Sequence, residues 1–596
     1  MNREAVLHRN TEEFIYPVRR NRLIVRLRAA RKEIRRCELV FWDRTDRTKE
    51  RRQQLFCHAR DGLFDYFQAE ISFPKVARYQ KYYFFLEEKD GTHWYYSAYA
   101  LDRKLPEDGF FEFLYANGTD IVKTPQWARG AVFYQIFPER FCDGDAGNNP
   151  GGCSPWGSRP DRENHMGGDL EGVIEKLPYL KDLGVECLYL NPIFAGDFNH
   201  KYATTDYFQI DPQFGTNETF GRLVRECHSV GIRIILDGVF NHTGVHFAPF
   251  RDLLEHQEDS AYKDWFYVEK YPVTITHHAY ECVGAYKWMP KLNTANPRVR
   301  NFILRVMEFW IREYGIDGWR LDVADEVDPS VWQEARLLLK EKYPDILLLG
   351  ETWGYGGKML RGNQMDAVMN YLFRDAVLDY FAGGKITAEE FDSRINRMLA
   401  LHRDETNDVM YNLIDSHDTE RFLYSCGGDR RKMKLAVAFQ MLFPGAPAIY
   451  YGDEAGMTGE NDPDCRGCMV WGEDADGDML AWYRSMTALR REHSAIRLGG
   501  YRSILADGER DVYGFVREYG QERFYILLHR GEKSCGICCP VAEDGVYMDL
   551  LSFACYGSVP GDGGYNGDIT GYKAQISVEM EPYSVKVIKK KGGTEV

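Results

Sequence analysis

Arg320 and Asp322 stand two residues apart in GWRLDVAD (318–325), on a run that reads as one apolar strand, so both side chains face the same side. A guanidinium beside a carboxylate favours the ionised form, typically by about 1–3 pKa units, and an ionised Asp suits a nucleophile. Glu351 ends the very apolar run ILLLGE ahead of Trp353, where desolvation should keep its proton on, as a general acid requires. His417 and Asp418 close IDSHD (414–418), and Asp237, Asn241 and His242 close IRIILDGVFNH (232–242). Asp418 would be a third carboxylate, able to bond sugar hydroxyls and favour a distorted ring. His242 and His417 can donate to hydroxyls of the same ring. An anionic nucleophile with a protonated acid is the apparatus of retaining glycoside hydrolysis, which needs the two carboxyls about 5–5.5 Å apart.

Something must bring these distant groups together. From about 131 to 490 one theme repeats: a short apolar run, a polar tip, then an amphipathic helix. The runs are AVFYQIFP (131–138), ECLYLNP (186–192), IRIILDGVFNH (232–242), GIDGWRLDVAD (315–325), DILLLGETW (345–353), DAVMN (366–370), DVMYNLIDSHD (408–418) and APAIYYGDE (446–454). Between them, Leu170, Val173, Ile174, Leu177, Leu180 and Leu183 follow helical spacing, with Gly184 just past the end; Phe302, Val306, Phe309 and Trp310 do the same before Gly315. Near-continuous apolar strands alternating with helices predict a parallel sheet covered on both faces, and eight such units fit an α/β fold of the (β/α)8 barrel type. A doubly wound open sheet is the alternative. Barrel enzymes carry their chemistry at the C-terminal strand ends, where these polar residues fall. Any single Asp there could be a helix N-cap, but four strand ends carrying ionisable groups point to one wet pocket.

At 596 residues the chain should form about four units. The first ~125 residues alternate in strand-like runs such as RLIVRLRA (22–29) and YYFFLEE (82–88), and alternation returns after about Gly499 in VYGFVRE, RFYILLH and SVKVIKK. The expected organisation is an N-terminal β-sandwich (1–125), a catalytic barrel (126–500) and a C-terminal β-sandwich (501–596). Lys plus Arg is 75 against 90 for Asp plus Glu, a formal charge of −15, which argues against a nucleic-acid surface. No run approaches the roughly 18 apolar residues of a membrane span, and MNREAVLHRNTEEF carries charges where a secretory signal needs an apolar stretch. A cytoplasmic protein with no membrane or nucleic-acid partner is the expectation. Aromatic residues reach 14%, surfaces on which sugars can stack as well as core. The fourteen cysteines show no disulfide framework, and Cys465-x-x-Cys468 and Cys535-x-x-Cys538 lie too far apart for a zinc ribbon.

DGVFNH, GWRLDVADE, GETW and IDSHD, in this order, resemble the four signature segments of the α-amylase family of glycoside hydrolases. YLNPIF (189–194), GAPAIYYGDEAGM (445–457) and MPKLN (289–293) extend the likeness to its neopullulanase, cyclomaltodextrinase and maltogenic amylase branch, as does EAVLHR at the start of a starch-binding-like β-domain. The resemblance implies Asp322 as nucleophile, Glu351 as acid/base and Asp418 as transition-state stabiliser. Arg320, His242 and His417 would line the −1 sugar site, over Tyr202 with His200 beside it. Asp464 and Arg466 would touch the next sugar or pair with each other. The segment from about 243 to 290 corresponds to a domain B insertion. The implied activity is retaining hydrolysis of α-1,4 bonds in maltooligosaccharides, cyclodextrins, pullulan or starch, with α-1,6 cleavage or transglycosylation alongside. An α-glucosidase or dedicated transglycosylase on the same site is the enzyme alternative, an inactive glucan-binding protein the remote one. Relatives often dimerise with the N-domain of one subunit closing the other's cleft, so a homodimer is expected.

DGDAGNNP (143–150) offers Asp143, Asp145, Asn148 and Asn149, oxygen ligands of the kind calcium uses, without the EF-hand pattern. In the branch a similar segment binds structural calcium together with the Gly167 carbonyl and Asp169; otherwise the stretch is an Asx-rich turn. No organic cofactor is expected. The chain departs from the branch at Gly354, Met359 and Val283, positions that in relatives contact the acceptor side, and at Asp325, where an Asn is common; the departures leave the chemistry intact.

Overall fold

The computed structural model describes residues 1–561 and 572–591, so the last part of the 501–596 expectation lies partly outside the described residues. The chain divides into two compact units.

The larger unit holds the barrel. Its strands are β1 (Phe133–Ile136), β2 (Cys187–Leu190), β3 (Arg233–Gly238), β4 (Gly318–Leu321), β5 (Leu347–Gly350), β6 (Ala367–Val368), β7 (Tyr411–Leu413) and β8 (Ala446–Tyr450). They pair in the order β6-β5-β4-β3-β2-β1-β8-β7, and a parallel bridge between Met369 and Tyr411 closes the ring. Every predicted apolar run therefore contains its strand, trimmed to residues that are all buried except Arg233 at the start of β3. Helices fall between them because the local signals are strong. Asn296 caps the helix Pro297–Tyr314, accepting from Arg298 N, with proline at the first position and Gly315 in the left-handed conformation (φ 73°) at the end. The single helix predicted over 170–183 is instead two, α1 (Leu170–Glu175) and α2 (Leu177–Leu183). Pro178 has no N–H for the Ile174 carbonyl, so the helix breaks at Lys176.

After β3 the insertion folds around Phe250, whose ring meets Phe266 and Tyr280 at 4.9 Å, and short bridges such as His242 to Lys291 tie it back to the barrel. A two-stranded ribbon, Phe194–Gly196 against Thr204–Ile210, carries the His200–Tyr202 loop. Among the described residues the same unit ends in eight antiparallel strands between Gly500 and Lys590 that enclose one core including Val516, Leu527, Ile576 and Ile588.

In the smaller unit, nine antiparallel strands from Ile15 to Tyr115 surround Leu23, Val25, Leu39, Phe41, Phe84 and Leu86. Residues 357–363 and 386–407 belong to it as well. Helix Ala388–Leu401 packs on strand Asp46–Arg60, Ser393 Oγ accepts from Gly62 N at 2.7 Å, and Arg26 donates to the His402 carbonyl at 2.8 Å. Among the described residues no helix is long and apolar enough to cross a membrane.

Candidate active site

Strand register makes the centre. Asp237 on β3 lies directly opposite Arg320 on β4, so a buried guanidinium and a buried carboxylate are neighbours before any side chain moves. Arg320 Nη1 reaches Asp237 Oδ1 at 2.9 Å and Asp322 Oδ1 at 2.8 Å, while Nη2 faces Glu351 Oε2 at 2.9 Å. One fully buried guanidinium thus holds three carboxyl groups, as only its planar fork can. Asp237 is completed by the hydroxyls of Tyr189 (2.7 Å) and Tyr202 (3.0 Å).

Sharing changes the electrostatics expected from sequence. Burial, and then the Glu351 charge, push Asp322 well above the usual carboxylate range, with Arg320 pulling the other way. The expectation that Arg320 would simply hold Asp322 low is therefore corrected: its charge is divided among three carboxyls. Asp322 and Glu351 both face this one guanidinium. Between them the backbone is strained. Val323 sits at φ 44°, a left-handed conformation unusual for a β-branched residue, and its N–H donates to Glu351 Oε2 at 2.9 Å.

Across the pocket, Tyr202 and His417 rings lie parallel with centroids 5.6 Å apart, and the Tyr202 oxygen is 2.6 Å from His417 Nε2. The other ring nitrogen, Nδ1, faces the Gln135 amide at 2.7 Å. His417 also meets Asp418 Oδ2 at 2.9 Å, and Arg466 meets Asp418 Oδ1 at 3.1 Å. Burial alone would raise Asp418, but His417 and then Arg466 outweigh it and hold the carboxyl well below its ordinary range. Burial pushes His200 and His242 down to about 3, so both imidazoles are neutral near pH 7. His200 Nδ1 accepts from Tyr202 N at 3.0 Å, whereas neither buried nitrogen of His242 finds a hydrogen-bond partner. A sugar hydroxyl would supply one.

The residues expected to be catalytic, Asp322, Glu351 and Asp418, and those expected at the −1 sugar, His200, Tyr202, His242, Arg320 and His417, thus lie together at one site. Asp464 and Arg466 do not pair with each other. Arg466 bonds Asp462 at 3.1 Å besides Asp418, and Asp464 faces Arg159 at 3.7 Å. Asp462, Gln135, Tyr189 and Asn191, whose amide donates to the Tyr202 hydroxyl at 3.0 Å, were missed as site residues. Gln135 had a signal: a lone amide inside an apolar strand, fully buried here. On the rim, Trp353 stacks on buried Tyr371 (4.3 Å, 14°) while remaining 55% exposed, and Gly354 borders open space.

The 143–169 loop is organised by Asp169, which caps α1. Its oxygens accept from Gly172 N, Gly144 N, Asp145 N and Asn148 Nδ2, so its lone pairs are taken by N–H donors rather than left for an ion. Asn149 Nδ2 donates to Asp143 at 2.9 Å, and Asp145 Oδ1 accepts from Gly147 N at 2.9 Å. The amide oxygens of Asn148 and Asn149 are buried without partners, and Asn149 Oδ1 lies so close to Gly167 (φ 89°) that a Cβ there would collide with it. Two orphaned hard oxygens beside Asp143 and the Gly167 backbone fit a calcium ion in donor chemistry. Among the described residues no three Asp, Glu, His or Cys side chains form a metal cluster, so an ion here would rest largely on amide and carbonyl oxygens. All fourteen cysteines are free.

The comparisons agree with this geometry. Residues 135–493 match the alpha amylase catalytic domain and residues 1–117 the alpha amylase N-terminal ig-like domain. Neopullulanase 2 of Thermoactinomyces vulgaris is 42% identical, covering 98% of this chain and 99% of that protein. A cyclomaltodextrinase of Thermoanaerobacter pseudethanolicus is 41% identical over 89% of this chain and 93% of its own. A solved cyclomaltodextrinase structure superposes with a TM-score of 0.92 at 37% identity, over 99% of this chain and all of that one. With a family match across most of the barrel and full-length relatives of this identity, the chain belongs to the alpha-amylase family of glycoside hydrolases.

Proposed function

We propose that this protein hydrolyses α-1,4-glucosidic bonds in maltooligosaccharides, cyclodextrins, pullulan or starch with retention at the anomeric carbon. The observation that carries the reading is the single guanidinium of Arg320 gripping Asp322 and Glu351 together, beside Asp418. Sharing one fork keeps the two carboxyls close, as retention at about 5–5.5 Å requires. In the working form Glu351 carries a proton and Asp322 is ionised. Glu351 gives the proton to the glycosidic oxygen as Asp322 bonds the anomeric carbon and the leaving sugar departs. Glu351 then takes a proton from water, whose oxygen displaces Asp322. Asp418, ionised by its neighbours, accepts hydroxyl hydrogen bonds from the ring, and Tyr202 offers it a platform.

Relatives named neopullulanase, cyclomaltodextrinase and maltogenic alpha-amylase support the substrate class. The decisive experiment is NMR of the first products from maltotriose and cyclodextrin. An α-anomer formed first, lost in Glu351→Gln and Asp322→Asn, supports the reading; a β-anomer or undiminished turnover in either variant refutes it.

Structural calcium at Asp143, Asp145, Asn148, Asn149 and the Gly167 carbonyl is part of the reading, supported by the two orphaned amide oxygens. A bound ion would tie the loop ahead of α1 together, remote from bond cleavage. The homodimer and cytoplasmic location follow the family resemblance and a relative named intracellular maltogenic amylase.

A further inference from the structure

Lys201 stands between the pocket residues His200 and Tyr202, yet its ammonium goes to the ribbon. The residue is 3% exposed, and its backbone sits at φ 59°, a left-handed conformation that glycine ordinarily supplies. Lysine is rarely buried so fully without a partner. Here Nζ meets Asp211 Oδ2 at 2.9 Å and donates to the Gly196 carbonyl at 3.1 Å, with the Phe214 ring 5.7 Å away. Asp211 is buried as well and ties the ribbon together: Oδ2 also accepts from Gly196 N at 3.0 Å, and Oδ1 accepts from Gln213 N at 3.1 Å. Gly196 ends the first ribbon strand and Asp211 follows the second, so one carboxylate fastens the loop residue Lys201 to both.

The backbone around Lys201 is equally constrained. Its N–H donates to the Phe198 carbonyl at 3.2 Å, and its own carbonyl accepts from Thr204 Oγ1 at 3.2 Å. The next N–H, that of Tyr202, turns back onto His200 Nδ1 at 3.0 Å. A residue other than glycine keeps a left-handed conformation only where its surroundings over-determine it, and the buried ion pair does so here.

We propose that Lys201 and Asp211 are positioning residues for the reaction: their buried ion pair holds the left-handed turn that presents Tyr202 to the sugar. This rests on the glucan-hydrolase reading. Both charges are spent on each other and on the ribbon backbone, so the pair acts through Tyr202. The Tyr202 hydroxyl lies 3.0 Å from Asp237, 2.6 Å from His417 and 3.0 Å from Asn191, so moving this residue disturbs the polar frame of the pocket together with its platform.

The test is a kinetic double-mutant cycle on maltotriose. Lys201→Met keeps the stem and removes the ammonium; Asp211→Asn keeps the shape of its partner and removes the charge. Misplacing a positioned group by about 1 Å can cost about a hundredfold, so kcat/KM should fall by about tenfold to a hundredfold in either variant. In a Tyr202→Ala background the platform is already gone, and either substitution should lower kcat/KM by less than about twofold more. A loss that multiplies in full with that of Tyr202→Ala, or no loss in the single variants, overturns the proposal. If Lys201→Met does not fold, Asp211→Asn completes the same cycle. If the wild type cleaves no glucan, the hydrolase reading falls alone, and the cycle is read from calorimetric affinities for maltotriose. Non-additive losses of affinity then keep the positioning role, and additive losses or none refute it.

Discussion

Replacing Arg320 by lysine tests the shared guanidinium most directly. Arg320 makes contacts at 2.9, 2.8 and 2.9 Å to Asp237, Asp322 and Glu351 from two separate nitrogens. A lysine ammonium is a point charge that can serve one of these carboxyls well but cannot span the set. Asp322 is already pushed up by burial and by Glu351, with Arg320 as the opposing charge. Weakening that opposition raises it further. Losing an opposite charge at contact distance shifts a carboxyl by about 1–3 units, and because lysine keeps part of the charge the low end applies, about 1 unit. The sign follows: as pH falls, the nucleophile takes up its proton sooner, so the acid limb of kcat/KM moves upward by about 1 unit. Arg320→Met, which leaves the carboxyls buried with no cation, should move it further and cost about 3–5 kcal/mol of stability. Maltotriose hydrolysis from about pH 4 to 9, with melting temperatures alongside, reads both effects. An acid limb unmoved in Arg320→Lys, with an unchanged melting temperature, would mean the guanidinium does not hold these carboxyls, and the argument fails.

Two other perturbations probe single features. Val323→Gly should relieve a left-handed strain of about 1–3 kcal/mol, partly offset by glycine's freedom in the unfolded chain. The melting temperature should hold or rise while kcat falls severalfold, because the N–H on Glu351 Oε2 is no longer held in place; a marked loss of stability would contradict the strain. Chelator should lower the melting temperature, and calcium at about a hundred times its dissociation constant should restore about 2.7 kcal/mol. No difference between the two in scanning calorimetry would remove calcium from the 143–169 loop.

Much of the protein could be read along the chain. The eight barrel strands are legible because a parallel strand buried on both faces must be continuously apolar, as LLLG at 347–350 is. Helix ends are legible because caps are local, as Asn296, Pro297 and Gly315 illustrate. Asp322, Glu351 and Asp418 stand out as candidates because no core accepts such carboxyls without a purpose. Where local signals conflicted the reading slipped: hydrophobic spacing argued for one helix over 170–183, and the missing N–H of Pro178 decided for two.

Tertiary structure alone decided the rest. Register put Asp237 beside Arg320, and the turn of the barrel brought Glu351 to the same guanidinium, so the charge expected to serve one carboxyl serves three. Gln135 on β1 and His417 beyond β7 are 282 residues apart, and nothing local to either predicts their 2.7 Å contact. Arg466 found Asp462 and Asp418 rather than Asp464. Residue types and spacings determine which groups can do chemistry, because pattern and propensity act over a few neighbours. Which of them share a cation or a sugar depends on distances through space, and those are set only when the ring of strands closes.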